Sequence, residues 1–174
     1  MTPKKLTIIN IILVFLLSFV SHFVYDLIPN NLTAIFFPVN ESIFEHLKMA
    51  FTTYTIVLII DSIILKIKHE TLSNLSISVF LSSVMTVISL GIIYPIVFNL
   101  IGENMFITLI IYFITILIGN LVGYKALQSN DLHLRETALI SIIVITILFG
   151  ILSFHPLKIK TYFYDYSNEI YGIK

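Results

Sequence analysis

The stretch "FFPVNESIFEHLKMAF" at 36–51 places Asn40, Glu41, Ser42, Glu45, His46 and Lys48 within nine positions of an otherwise apolar chain. Carboxylates, an imidazole and an ammonium are the groups from which acid–base pairs, activated nucleophiles and metal sites are made. Upstream, Ser18, His22 and Asp26 recur at every fourth position, which on a helix sets them in a stripe along one face. Glu41, Glu45, Lys48 and Thr52, at spacings of four and three, form another such stripe, with Ser42, His46, Met49 and Thr53 in the adjacent row. His155 and Asp165 follow near the C-terminus, and Tyr171 after them. Two imidazoles with carboxylates can bind a divalent metal such as zinc and leave a position open for water. His22, Glu45, His46 and His155 are the candidate ligands, and Glu41, Glu45, His46 and His22 the candidate catalytic groups. Without a metal, His22 or His46 beside a carboxylate is a general base, with Ser18, Ser42 or a bound alcohol as nucleophile. Structural roles compete at each position. Asn40 suits a helix N-cap with Glu41 in the first turn, Glu45 and Lys48 suit an i,i+3 ion pair, and a lone His22 or His155 suits the membrane interface.

The elements that must position these groups are membrane helices. Of 174 residues, 57% are hydrophobic and 11% charged, against about 25% charged in soluble proteins. Five stretches, at about 5–28, 41–66, 76–100, 105–127 and 136–154, reach the roughly 20 apolar residues that a bilayer crossing needs. Polar breaks at 28–31, 66–70, 101–104 and 127–136 separate them, none long enough to divide two domains. The N-terminal run passes through a signal-peptide length without a small-residue cleavage site, so it is expected to remain as the first span. The fold class is thus an all-α integral membrane protein, a single bundle of five spans.

Lys4, Lys5, Lys66, Lys68, Lys125 and Arg135 fall on one side of such a bundle, which the positive-inside tendency makes cytoplasmic. The other side then carries the 28–42 connection, the 102–104 turn and the tail from His155, with Lys158, Lys160 and Lys174. Tyr162, Tyr164, Tyr166 and Tyr171 in that tail suit the headgroup level, where a short hairpin around Ser167-Asn168 would fold over the outer face. Gly119 and Gly123 form a G-x-x-x-G that lets helices pack closely, and Tyr94-Pro95 predicts a kink. A net charge of zero supplies no basic surplus for nucleic acid, and the absence of cysteine excludes disulfides and thiolate sites.

The block "PVNESIFEHLK" at 38–48, with His22 upstream and His155-Pro156, Asp165 and Tyr171-Gly172 in the tail, resembles a family of small multi-pass bacterial membrane proteins of unknown function. That family carries a PVNES-x-x-EHLK signature and a Pro-rich closing segment. The resemblance implies residence in a bacterial plasma membrane and no particular activity. Here the tail holds one Pro where the pattern has a pair. The spacing Ser18-x-x-x-His22 is similar to that in the membrane hydrolase superfamily of alkaline ceramidases and the progestin and adiponectin receptors, whose late His pair is matched here by His155 alone.

Three readings follow. The first is an intramembrane hydrolase or transferase acting at the outer leaflet on a lipid or lipid-linked substrate, with Ser18, Asp26, Asn40, Ser42, Lys48, Asp165 and Tyr171 in support. The second is a non-enzymatic membrane module, as a homo-oligomer or within a larger complex, whose polar cluster is a structural network. The third, ion or proton translocation, lacks a continuous chain of ionisable groups from the cluster to Asp61.

Overall fold

A computed structural model describes residues 1–102 and 104–173. Lys174 and Glu103, which the sequence places on the same side as Lys158, lie outside the described residues. The chain folds as α1 (Pro3–Leu27), α2 (Asn31–Phe36), α3 (Ile43–Ile67), α4 (Leu75–Ile101), α5 (Met105–Gln128), α6 (Arg135–Phe154) and α7 (Lys160–Phe163), closed by a two-stranded ribbon of β1 (Tyr164–Asp165) and β2 (Ile170–Tyr171). Five of these helices are long and apolar enough to cross a membrane, as those of a multi-pass membrane protein are.

Local chemistry sets the helix ends. Thr2 caps α1, accepting from the Lys5 amide at 3.4 Å, and Pro3 occupies the first turn, where its missing N–H costs nothing. Asn30 and Thr33 form a reciprocal capping box that folds part of the 28–39 connection into α2. The predicted cap of α3 shifts by two residues. Ser42, not Asn40, accepts from the Glu45 amide at 3.4 Å, because Asn40 spends its Oδ1 on the Ser42 amide (2.8 Å) and its Nδ2 on the Gly172 carbonyl (2.7 Å). Glu41 therefore lies in the loop before α3 rather than in its first turn.

α3 is the central helix, packed against α1, α4 and α6. Ala50, Phe51, Tyr54 and Val57 of α3 are buried with Val14 of α1, Val79 and Leu90 of α4 and Ile116 of α5. Polar side chains inside this core are paired across helices. Tyr54 hydroxyl accepts from Asn120 Nδ2 at 2.8 Å and lies 3.0 Å from Thr86 Oγ1. Asn10 Nδ2 donates to Asp61 Oδ2 at 2.7 Å, which ties α1 to α3. Gly119 and Gly123 face Ser82, Thr86 and Ser78 of α4, where the Ser78 hydroxyl donates to the Gly123 carbonyl at 2.8 Å. The glycine motif thus serves contact within the chain. α4 runs through Pro95.

Candidate metal centre

The polar cluster of 40–48 divides into two parts with different environments. α3 turns about 100° per residue, so His46 faces α1 while Glu45 and Lys48 face α2 and α6. Lys48 Nζ lies 2.6 Å from Glu45 Oε2, with side-chain exposures of 0% and 1%. It also donates to Ser153 Oγ (2.6 Å) and to the Ala34 carbonyl (2.8 Å). Ser153 in turn donates to Glu45 Oε1 at 2.6 Å, and the Val39 amide donates to Glu45 Oε2 at 3.2 Å. Every ammonium proton and both carboxylate oxygens have partners. This is a closed network pinning α2, α3 and α6, and it removes Glu45 from the candidate ligands.

The second part is open. His22 Nε2 and His46 Nε2 are 3.2 Å apart, and each lies 3.5 Å from Glu41 Oε2. His22 reaches the group from the last turns of α1, His46 from the first turn of α3, and Glu41 from the loop before it. The Nδ1 of His46 lies 2.9 Å from the Ser42 carbonyl, which as acceptor sets Nδ1 as the protonated nitrogen and leaves a lone pair on Nε2. A carboxylate oxygen and an imidazole lone pair this close repel unless a positive species lies between them, either a proton on His22 or a metal ion. A tetrahedral ion with bonds of about 2.0–2.2 Å spans ligand–ligand edges of about 3.3–3.6 Å, close to the three distances observed. The three ligand atoms form one such face. His22 Nδ1 is buried without a hydrogen-bond partner among the described residues.

The carboxyl of Glu41 is held below its ordinary value of 4.5, first by hydrogen bonding from His22, against the opposing effect of burial. It is therefore an anion near neutrality. Asp165 is buried, which raises its carboxyl, but amide donors from Asn168, Glu41 and Ser167 outweigh that and hold it below its ordinary 3.8.

These three ligand atoms sit on the wall of a cavity of about 400 Å³. Phe15, Phe19 and Met49 line it from α1 and α3, Leu90 and Phe98 from α4, and Leu109 and Tyr112 from α5. Thr161, Tyr164, Tyr166 and Ser167 of the tail also line it. Ser18, one turn before His22, is 2.5 Å from the Tyr112 hydroxyl within the same lining.

Other sequence candidates lie elsewhere. His155 is exposed at the C-cap of α6, beside a shallow apolar groove containing Ile35 and Phe154, away from the triad. Asp26 is exposed beyond His22. Tyr171 packs against Tyr164 at 5.0 Å under the Lys158 ammonium. The aromatic lining from α4 and α5 had no individual signal in the sequence, because apolar residues of a membrane helix face lipid and cavity alike.

Five long helices apolar enough to cross a membrane thus carry a His–Glu–His cluster at one end. The chain belongs to DUF6512, a family of unknown function whose profile covers residues 1–173. No curated protein and no solved structure matches it.

Proposed function

We propose that this chain is a metal-dependent intramembrane hydrolase or transferase acting on a lipid or lipid-linked substrate, with His22, Glu41 and His46 as metal ligands. The observation that carries this reading is the triangle of ligand atoms, two imidazole and one carboxylate, on the wall of an apolar cavity. Three protein ligands with a fourth position open is the pattern of catalytic rather than structural zinc.

The cavity walls take an apolar chain, while the polar tail and the triad meet the linkage to be broken. Such division suits an amphiphile whose ester, amide or phosphoester bond lies between chain and headgroup. His22, Glu41 and His46 would hold a divalent ion, which would supply a Lewis acid for the substrate oxygen and lower the pKa of water to about 7. In hydrolysis the water oxygen bonds to the acyl carbon or phosphorus, the bond to the leaving atom breaks, and that atom takes up the proton released by water. An acceptor alcohol in place of water makes the same reaction a transfer. Neutral His22 and His46 leave the ion's charge intact, and Glu41 reduces it by one. The cationic residues Lys4, Lys5, Lys66, Lys68, Lys125 and Arg135 occupy the end away from the triad, which supports an outer-leaflet site by the positive-inside tendency.

The alternative, a purely structural network, describes Glu45, Lys48 and Ser153 well. It does not account for the triad, where Glu41 keeps 46% side-chain exposure and all three residues line the cavity.

Metal analysis of the full chain purified in detergent is expected to find one zinc per chain, lost in both Glu41→Gln and His46→Ala. Turnover of acyl-lipid and phospholipid substrates should disappear in the same two variants. Wild-type protein that takes up no divalent metal, or variants that turn over lipid as wild type does, would defeat the proposal.

A further inference from the structure

Glu41 is the ligand that no helix holds. Its carboxylate stays within 3.5 Å of two imidazoles only if the loop before α3 is fixed, and the contacts that fix it come largely from the far end of the chain. The Glu41 amide donates to Asp165 Oδ2 at 3.1 Å, across 124 residues of sequence. Asn40 Nδ2 donates to the Gly172 carbonyl at 2.7 Å. Asp165 is itself immobilised: Oδ1 accepts from the Ser167 and Asn168 amides at 2.8 and 3.1 Å, and Oδ2 accepts from Asn168 Nδ2 at 2.8 Å. Gly172 sits at a φ of +71°, and a Cβ there would come within 2.9 Å of the Ser153 carbonyl and the Pro156 ring. The residue opposite Asn40 therefore needs glycine for two independent reasons.

Resting on the metal-site reading, we infer that the C-terminal ribbon is a strap that presents Glu41 to a divalent cation, zinc, and that Asp165 is its positioning residue. Asp165 is not a ligand, since its oxygens are committed to amide donors. It acts through the backbone of Glu41, in the manner of the outer groups that orient metal ligands. The site is thus assembled from both ends of the chain.

The test compares zinc affinity and the visible spectrum of bound Co²⁺ in the full-length chain in detergent. Asp165→Asn is expected to weaken zinc by about 10–100-fold and to alter the Co²⁺ bands as the Glu41 oxygen leaves. In a Glu41→Gln background, Asp165→Asn should change affinity by less than about twofold, because no carboxylate remains to be positioned. Equal losses in both backgrounds would mean that the tail acts on stability alone, and would overturn the inference, as would unchanged affinity in the single variant. If Asp165→Asn does not fold, Asn168→Ala, which leaves the Glu41 contact in place, is expected to give a smaller loss of zinc that vanishes in the same background. Loss that persists there overturns the inference. Wild-type chain that binds neither Zn²⁺ nor Co²⁺ removes the metal reading itself, and the strap falls with it.

Discussion

Lys48 offers three protons, and three acceptors receive them: Glu45, Ser153 and the Ala34 carbonyl. Removing one member of such a buried pair strands the other, which costs about 3–5 kcal/mol. Lys48→Ala should therefore lower the thermal unfolding midpoint sharply, and Glu45→Gln combined with Lys48→Met should recover much of the loss; a thermal melt in detergent followed by circular dichroism measures both. Glu41→Gln, at a half-exposed position, should leave the melt of the metal-free chain nearly unchanged. Protons compete with metal at the triad. Glu41 is held below its ordinary range and stays ionised as protons come to compete at the imidazoles, so zinc affinity should fall on acidification; chelator competition at a series of pH values checks it. Asp165 adds a second acid limit. A carboxyl depressed in the folded state contributes stability above its unfolded value of about 3.9 and loses it as pH falls through the lower folded one. Tail release, read by amide hydrogen exchange of 164–171, should begin below about pH 4.

Between elements, α5 lays Gly119 and Gly123 closely against α4. A Cβ at Gly123 would sit 2.6 Å from the Ser78 carbonyl and nearer still to the Ser82 hydroxyl. Backbone cannot yield as a side chain can, so Gly123→Ala and Gly119→Ala should each cost about 1–3 kcal/mol and lower the thermal midpoint. These changes lie toward the lysine end of α5, so zinc binding should survive them where the fold survives. The start of α3 shows how an element decides a site. Moving the cap from Asn40 to Ser42 removes Glu41 from the helical stripe and lets it turn toward His22, while Glu45 stays on the face that meets α6. Ser42→Ala, which removes that cap, should cost about 1 kcal/mol and loosen His46.

Across the whole molecule, the proposed orientation can be read directly because the chain has no cysteine. Lys158→Cys, at the triad end, should react with an impermeant maleimide in intact cells, and Gln128→Cys, at the lysine end, only after the membrane is opened. Reversed labelling would place the site on the cytoplasmic side. The five long helices were legible in the sequence because crossing oil demands about 20 apolar residues, and their observed ends differ from the predicted ones by two residues at most. That His22 and the 40–48 block share one end followed from the same arithmetic, since consecutive spans reverse direction and short connections join adjacent ends. The sequence alone could not say which carboxylate meets which imidazole. Glu41 and Glu45 are equivalent by spacing, and only the packing of α6 gives Ser153 to Glu45 and Lys48. His155 shares the end of the bundle with the triad but not its cavity, because α6 packs mainly on α2, α3 and α4 and His155 lines a separate groove with Ile35 and Phe154. The tail contact of Asp165 with Glu41 spans 124 residues, a distance over which local propensity carries no information. Length and hydrophobicity determined the elements and their ends, because the bilayer constrains each span separately; the pairing of charges was decided by tertiary packing, because a buried ion's cost is set by the neighbours it finds.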